Sequence, residues 1–129
     1  MKNMTPLMIV EEIEPCVRFC TERLGFKVTA EVPEGDKLGF VILAKDGVQL
    51  MYQSLASVKK DVPTLAVGDF QRGINLYFVV ENIDDVEAKL RDVQKVIPRR
   101  DTFYGATEVG VRDPAGYVMC FSQHSSNTG

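Results

Sequence analysis

The sequence predicts an α+β fold made of two tandem copies of a β-α-β-β-β module. Three observations predict it. Residues 10–14 (Val-Glu-Glu-Ile-Glu) resemble residues 80–84 (Val-Glu-Asn-Ile-Asp) at an offset of 70, and residues 46–52 resemble residues 115–121 at an offset of 69. Apolar runs, helical stripes and turns also follow each other in the same order in both halves. Two landmarks with nearly the same offset indicate an internal duplication.

The first copy begins with a short apolar strand that leads into a helix. The run 7–10 suits a buried strand, and Glu12 or Glu14 then offers an N-cap acceptor, with Pro15 favouring the first helical turn. An apolar stripe at helical spacing follows and ends before Gly25, a typical C-terminal stop. The stripe consists of Ile13, Val17, Cys20 and Leu24.

Three strand-like stretches complete the first copy. The Asp46-Gly47 pair before the last of them is a strong hairpin signal, and Gly35 marks the preceding turn. The predicted strands are residues 26–32, 38–44 and 48–53.

The second copy repeats this order from an apolar strand at residues 74–80. Asn82 and Asp84 supply the polar helix start, and residues 113–116 (Asp-Pro-Ala-Gly) form a turn with Pro and Gly at favoured positions. The helical stripe consists of Ile83, Val86, Leu90 and Val93. The predicted strands lie near residues 95–103, 107–112 and 117–123.

We therefore expect one domain over residues 1–129. It consists of module 5–53, connector 54–73 and module 74–123. The connector has room for a short helix at residues 55–60, and residues 125–129 are expected to fray.

Composition excludes several classes of protein. The 129 residues are 45% hydrophobic and 26% charged, which is ordinary for a globular chain. The longest apolar runs have five residues, far fewer than the roughly 20 that cross a bilayer. Fifteen basic against eighteen acidic residues give a net charge of −3, which does not attract nucleic acid. Without a signal-peptide pattern, we expect a cytoplasmic protein with no membrane or nucleic-acid partner.

The order and spacing of these pieces resemble the vicinal oxygen chelate superfamily, which includes glyoxalase I, bleomycin-resistance proteins, fosfomycin-resistance enzymes and extradiol dioxygenases. The matching pieces are residues 10–13, 24–26, 78–83 and 113–116, within a resemblance that covers about residues 5–123. The resemblance implies that the two modules form an open eight-stranded cup, within one chain or across a swapped homodimer. If this chain resembles the enzymes of the superfamily, the resemblance also implies a divalent metal at the base of the cup.

The positions where metal-binding relatives carry ligands are Thr5, Met51, Asn75 and Cys120 in this chain. None is a histidine or a carboxylate, although hard and borderline divalent ions need such ligands. The resemblance is therefore closest to the metal-free, bleomycin-resistance-like branch. We expect no metal and no other cofactor.

The predicted function is binding of a small organic molecule inside the cup, with an antibiotic-resistance-like role and a homodimeric assembly. Side chains alternate across a strand, so those an even number of residues from these four positions on the same strand should face the cup. The amides and hydroxyls among them suit a ligand pocket. The predicted ligand-binding residues are Thr5, Leu7, Gln49, Met51, Gln53, Asn75, Tyr77, Glu108, Cys120 and Ser122.

Two alternatives stay open at this point. One is an isomerase or lyase that uses an unforeseen metal, or Glu108 with Tyr77 or Tyr104 as acid–base groups, although no second carboxylate or histidine is placed to assist. The other is an interaction module whose cup is filled. For the neighbouring Arg99 and Arg100, a solvated pair is favoured over a clamp for an acidic ligand, and the single histidine, His124, is expected to be solvated.

Overall fold

The computed structural model describes residues 3–63 and 74–125. The chain divides into two compact units, Met1–Arg72 and Gly73–Gly129, each built on one four-stranded mixed sheet. The predicted α+β class with two β-α-β-β-β modules is confirmed. The closing of the two modules into one cup stays a prediction.

The first unit places its first strand beside its last. Its elements are β1 (Leu7–Val10), α1 (Glu14–Leu24), β2 (Lys27–Glu34), β3 (Lys37–Lys45), β4 (Val48–Ser54) and α2 (Leu55–Asp61). The strand order is β1-β4-β3-β2, with β1 parallel to β4 and the other neighbours antiparallel. Helix α2 confirms the short helix predicted after the module, whereas residues 64–73 of the connector lie outside the described residues.

The second unit repeats this topology. Its elements are β5 (Asn75–Val79), α3 (Ile83–Lys89), β6 (Lys95–Asp101), β7 (Ala106–Arg112) and β8 (Val118–His124). The order β5-β8-β7-β6 corresponds strand for strand to that of the first sheet. The predicted fraying of residues 125–129 falls almost entirely outside the described part, which ends at residue 125.

Two turns behave as the sequence predicts. Asp46 and Gly47 both have positive φ, 50° and 82°, as a tight hairpin between right-twisted strands requires. In the turn before β8, the Asp113 carboxylate accepts hydrogen bonds from the backbone N–H groups of Ala115 and Tyr117 at 3.0 and 2.8 Å. Each of these turns fixes the register between the two strands that it joins.

The helix starts agree with the prediction in only one unit. Asn82 caps α3, because its side-chain oxygen accepts from the Asp85 N–H at 3.2 Å. The expected cap on α1 was wrong: its N-cap is Ile13, without a side-chain hydrogen bond. Glu14 instead accepts from the Leu38 N–H on β3 at 2.8 Å, a hydrogen bond that lowers the pKa of this carboxyl. Glu12 pairs with Lys37 at 3.0 Å.

Each helix of the modules covers one face of its own sheet. Helix α1 contacts β2 and β3, and α3 contacts β7 and β8. In the second unit the Ile83 N–H at the start of α3 donates to Gln123 Oε1 on β8 at 2.7 Å, which identifies the covered face. Side chains alternate along a strand, so the neighbours of Gln123 point to the opposite face. We call this opposite side of the second sheet the open face.

Among residues 3–63 and 74–125, the structure has no helix with the length and hydropathy needed to cross a bilayer.

Candidate functional site

Strand register fixes which positions correspond in the two units. Leu7 pairs with Met51 in the first sheet, and Tyr77 pairs with Cys120 in the second. These pairs occupy the same place in the two strand orders, at offsets of 70 and 69 residues. The duplication read from the sequence is therefore present in the hydrogen-bonded ladders as well.

A buried carboxylate lies on the open face of the second sheet. The side chain of Glu108, on β7, is only 1% exposed. Its Oε2 accepts hydrogen bonds from the hydroxyls of Tyr77 (2.9 Å), Tyr104 (2.6 Å) and Ser122 (3.1 Å). Its Oε1 accepts from Nη2 and Nε of Arg100 at 2.9 and 3.3 Å. We call these five residues the Glu108 cluster.

The local fold explains why these side chains meet. Arg100 lies directly opposite Glu108 in the β6–β7 ladder, and Ser122 lies opposite it in the β7–β8 ladder. Tyr77 reaches the carboxylate from β5 on the other side of β8, and Tyr104 from the turn between β6 and β7. All four strands of the second sheet, together with this turn, therefore position the cluster.

The hydrogen bonds decide the charge state of the carboxyl. Burial alone would raise the pKa of Glu108, but hydrogen bonds from Tyr104, Arg100, Tyr77 and Ser122 outweigh it and lower the pKa to about 2. Glu108 is thus ionised at neutral pH. Its hydrogen bond raises the pKa of Tyr104, with burial adding to the effect, so this phenol stays protonated.

Neighbouring groups respond to the same charge. The hydrogen bond to Glu108 raises the pKa of Arg100. Burial, with a smaller contribution from the Glu108 charge, raises the pKa of the Cys120 thiol, so a thiolate is disfavoured there.

Aromatic rings surround the hydroxyls of the cluster. The ring centroid of His124 lies 6.3 Å from that of Tyr77 and 6.5 Å from that of Tyr104, and the Phe103 and Tyr104 centroids are 5.1 Å apart. Tyr77 is 49% exposed, Tyr104 43% and Phe103 100%. The open face therefore combines accessible aromatic surface with fixed polar groups, a usual composition for a ligand site.

The corresponding positions of the first unit carry different chemistry. Its register gives these correspondences: Leu7 for Tyr77, Val32 for Arg100, Phe40 for Glu108 and Gln53 for Ser122. Three of the four are apolar, and the first sheet still has the same topology. A polar cluster is therefore not a requirement of this module's fold.

A groove of 480 Å³ lies over this part of the first unit. Gln53 lines it and donates to Ser57 Oγ at 3.1 Å, while Lys60 pairs with Glu34 at 2.6 Å at its side. The remaining lining residues are Val32, Phe40 and Asp61. The groove thus occupies the part of the first sheet that corresponds to the cluster of the second.

Comparison with known proteins settles the family. Residues 5–121 match the model of the Glyoxalase/Bleomycin resistance protein/Dioxygenase superfamily, which is most of the chain. The chain belongs to this superfamily. The comparison with curated proteins gives no match.

Solved structures agree on the superfamily fold at low sequence identity. TioX from Micromonospora sp. ML1 has a TM-score of 0.76 at 16% identity, covering 97% of this chain and 100% of its own. A glyoxalase-related enzyme from Fulvimarina pelagi has a TM-score of 0.77 at 18% identity, covering 96% and 89%. Lactoylglutathione lyase from Agrobacterium tumefaciens has a TM-score of 0.70 at 11% identity, covering 95% and 94%. At such identities the likeness shows the fold alone.

The residues at the superfamily's metal-ligand positions do not fit a divalent ion. In the first unit Thr5 Oγ1 lies 3.4 Å from Gln49 Oε1, to which it donates, and Met51 offers only a thioether. In the second unit Asn75 offers a neutral amide, and Cys120 holds its thiol proton for the reasons given above. Within the described residues, no three His, Cys, Asp or Glu side chains are grouped to hold a metal.

The structure brings some of the predicted ligand-binding residues together within each unit. Tyr77, Glu108 and Ser122 form the core of the cluster, and Cys120 is the register partner of Tyr77. Asn75, also on β5, is exposed. In the first unit, Thr5 contacts Gln49, Leu7 pairs with Met51, and Gln53 lines the groove.

Two members of the cluster are absent from the predicted ligand-binding set. Arg99 and Arg100 were expected to be a solvated pair, and both side chains are exposed, but each also binds carboxylates: Arg100 binds Glu108, and Arg99 binds Asp84 and Glu87 on α3 at 2.7 and 2.6 Å. Tyr104 was considered only as an acid–base group. A hairpin centred near residues 103–105 places residue 100 opposite residue 108, so counting register from that turn would have identified the opposite-charge pair.

The expectation for His124 also needs correction. Its ring is exposed, but Nε2 lies 3.2 Å from Tyr77 Oη, within hydrogen-bond distance. The histidine is thus attached to the edge of the cluster rather than simply solvated.

Proposed function

We propose that this superfamily member is a metal-free binding protein that holds a small planar organic molecule against the Glu108 cluster. One observation carries the proposal: the second unit maintains a buried, ionised carboxylate on its open face, while the first unit builds the same fold with Phe40 at that position. Burying a charge has a free-energy cost, so a feature that the fold does not need points to a ligand.

The surroundings of the cluster support a planar ligand. Exposed rings of Tyr77, Phe103 and Tyr104 offer aromatic faces and edges, which attract other rings by offset or edge-to-face contact. The hydroxyls between them provide polar groups that can orient such a ring. Bound in this way, a drug or metabolite would be sequestered, the role implied by the resemblance to bleomycin-resistance proteins.

The electrostatics favour binding over acid–base catalysis. A general base works best when its pKa lies near the working pH, whereas Glu108 has a pKa of about 2 and spends its lone pairs on four side chains. The raised pKa of Tyr104 likewise makes it a weaker acid. The site is therefore better suited to hold a ligand than to transfer protons.

Backbone amide NMR with a defined probe tests the proposal. Protein dialysed against EDTA is titrated with quinoline, 6-hydroxyquinoline and 6-methoxyquinoline, three planar heteroaromatics of similar size. We expect saturable shifts of amide signals in β5, β7 and β8 for at least one probe, with the same dissociation constant after adding zinc, nickel or manganese. Binding that requires a metal, or no shift in these strands with any probe, would contradict the proposal.

A matched pair of variants localises the site. Tyr104→Ala removes an aromatic ring from the open face and should weaken probe binding about tenfold or more. Val48→Ala changes an exposed residue of the first unit and should leave the dissociation constant unchanged. Equal effects of the two substitutions would place the probe elsewhere.

A further inference from the structure

We infer that the Glu108 cluster selects planar ligands that donate a hydrogen bond from a neutral O–H or N–H group, and that Glu108 is the positioning residue that sets this preference. The inference rests on the proposed function, because it concerns the ligand of the same site. It follows from the direction in which the hydroxyl protons of the cluster must point.

The carboxylate dictates the direction of these protons. An ionised carboxylate has lone pairs and no proton, so every hydroxyl that faces it must act as the donor. Tyr104 therefore donates to Oε2 at 2.6 Å, and Ser122 donates to the same oxygen at 3.1 Å. Tyr77 has two inward acceptors within reach, Glu108 Oε2 at 2.9 Å and Ser122 Oγ at 2.8 Å. In either arrangement its proton points toward the carboxylate.

The tyrosine oxygens consequently present lone pairs away from Glu108. The Nε2 atom of His124, at 3.2 Å, lies beside the lone pair of Tyr77. The Thr102 side chain also hydrogen-bonds Tyr104, which lowers the pKa of this phenol against the larger raising effect of Glu108. The one hydroxyl proton of Thr102 is shared with the Ala106 carbonyl at 3.2 Å, and its oxygen accepts from the Ala106 N–H at 3.0 Å. Because a phenol oxygen has two lone pairs, Tyr104 Oη still offers an acceptor to a ligand on the open face.

Arg100 determines the charge of the preferred donor. Its guanidinium binds Glu108 Oε1 and cancels the charge of the carboxylate at short range. The Arg100 side chain is 57% exposed and that of Glu108 only 1%, so a ligand ammonium would meet the guanidinium more readily than the carboxylate and gain little. A hydroxyl or N–H group on an aromatic ring avoids that repulsion and still satisfies Tyr104 Oη.

The two oxygenated quinolines distinguish donor from acceptor. 6-Hydroxyquinoline and 6-methoxyquinoline share one ring system, and only the first can donate from its oxygen. We expect calorimetric titration of the wild-type protein to give a dissociation constant about tenfold lower for the hydroxy compound. Equal dissociation constants would overturn the inference while leaving the proposed function intact, because both probes would still bind.

The Glu108→Gln variant shows whether the preference for 6-hydroxyquinoline comes from hydrogen-bond direction or from the bulk of the methyl group in 6-methoxyquinoline. Arg100 needs an acceptor, so it should hold the Gln Oε1, which leaves the Gln amide to donate to the tyrosine oxygens and turns their protons outward. The variant should then bind the two probes within about twofold of each other. A tenfold preference that persists in Glu108→Gln would show exclusion of the methyl group and overturn the inference.

Tyr104→Phe and Tyr52→Phe complete the test, including the case in which Glu108→Gln fails to fold. Tyr104→Phe removes the outward acceptor and should raise the dissociation constant of 6-hydroxyquinoline to that of the methoxy compound. Tyr52→Phe deletes a hydroxyl that is buried beside Cys20 in the first unit, and should keep the tenfold preference. Retention of the preference in Tyr104→Phe would contradict the assigned role of Tyr104.

Discussion

The carboxylate of Glu108 combines two properties that usually exclude each other, since it is both buried and ionised. Desolvation of a charge is unfavourable, and at this residue four donor side chains offset it. Because these hydrogen bonds exist only in the folded protein, they couple the protonation of one residue to the stability of the chain.

At the residue scale we predict a specific loss of stability in acid. The pKa of Glu108 is about 2 when folded and 4.5 in its ordinary state, so its contribution is complete above about pH 5 and is lost as the pH falls toward 2. Between pH 6 and pH 2, the free energy of unfolding should fall by on the order of 3 kcal/mol more in the wild type than in Glu108→Gln. Urea unfolding at several pH values measures this difference.

Glu31→Gln, at an exposed position of β2, provides the control for the removal of one carboxylate. It should show the same pH dependence as the wild type. If Glu108→Gln and Glu31→Gln behave alike, Glu108 does not have the depressed pKa that its hydrogen bonds imply.

At the scale of elements, the Asn82 cap shows how a single side chain stabilises a short helix. Helix α3 has seven residues, Ile83–Lys89, and the Asn82 cap satisfies one of the N–H groups of its first turn that have no partner within the helix. We expect Asn82→Ala to lower the free energy of unfolding by about 1 kcal/mol. Asn82→Asp keeps the acceptor and should stay within about 0.5 kcal/mol of the wild type, as measured by urea unfolding.

The loss in Asn82→Ala should come with faster amide hydrogen exchange in α3. An equal loss in Asn82→Asp would show that the side chain acts through something other than its acceptor oxygen.

The strands could be predicted from the sequence because they depend on local signals. Alternation and the turns at Asp46-Gly47 and Asp113 gave every strand to within two residues of its observed bounds. The cap of α1 could not be predicted, because Glu14 is used by Leu38, a residue 24 positions away in sequence. A contact of that range depends on tertiary structure.

The candidate site was predictable only in part for a similar reason. Parity placed Tyr77, Cys120 and Ser122 on one face, where alternation along β5 and β8 is regular. Strand β6 has register shifts between Lys95 and Ile97 and between Ile97 and Arg100, and each shift breaks the alternation. Parity carried along β6 from Lys95 therefore could not tell which of the two adjacent arginines faces Glu108; only a count back from the turn near residues 103–105 pairs Arg100 with it.

At the scale of the whole molecule, the predicted homodimer remains to be tested. Large apolar side chains are exposed in both units, among them Val32 at 53%, Val79 at 66% and Phe103 at 100%. The resemblance to the superfamily implies a homodimer, in which side chains of this kind would be covered. Light scattering coupled to size-exclusion chromatography should give twice the mass of the chain at micromolar concentration. A single-chain mass at every concentration would show a monomer.

The register match between the two units has a consequence for evolution and design. One chain already carries two solutions at four corresponding positions: Leu7, Val32, Phe40 and Gln53 in one unit, and Tyr77, Arg100, Glu108 and Ser122 in the other. After duplication, therefore, one copy could diversify the side chains at these positions while the strand pairing stayed the same. A library that exchanges these two sets as intact blocks would test new recognition sites on two backbones of the same topology.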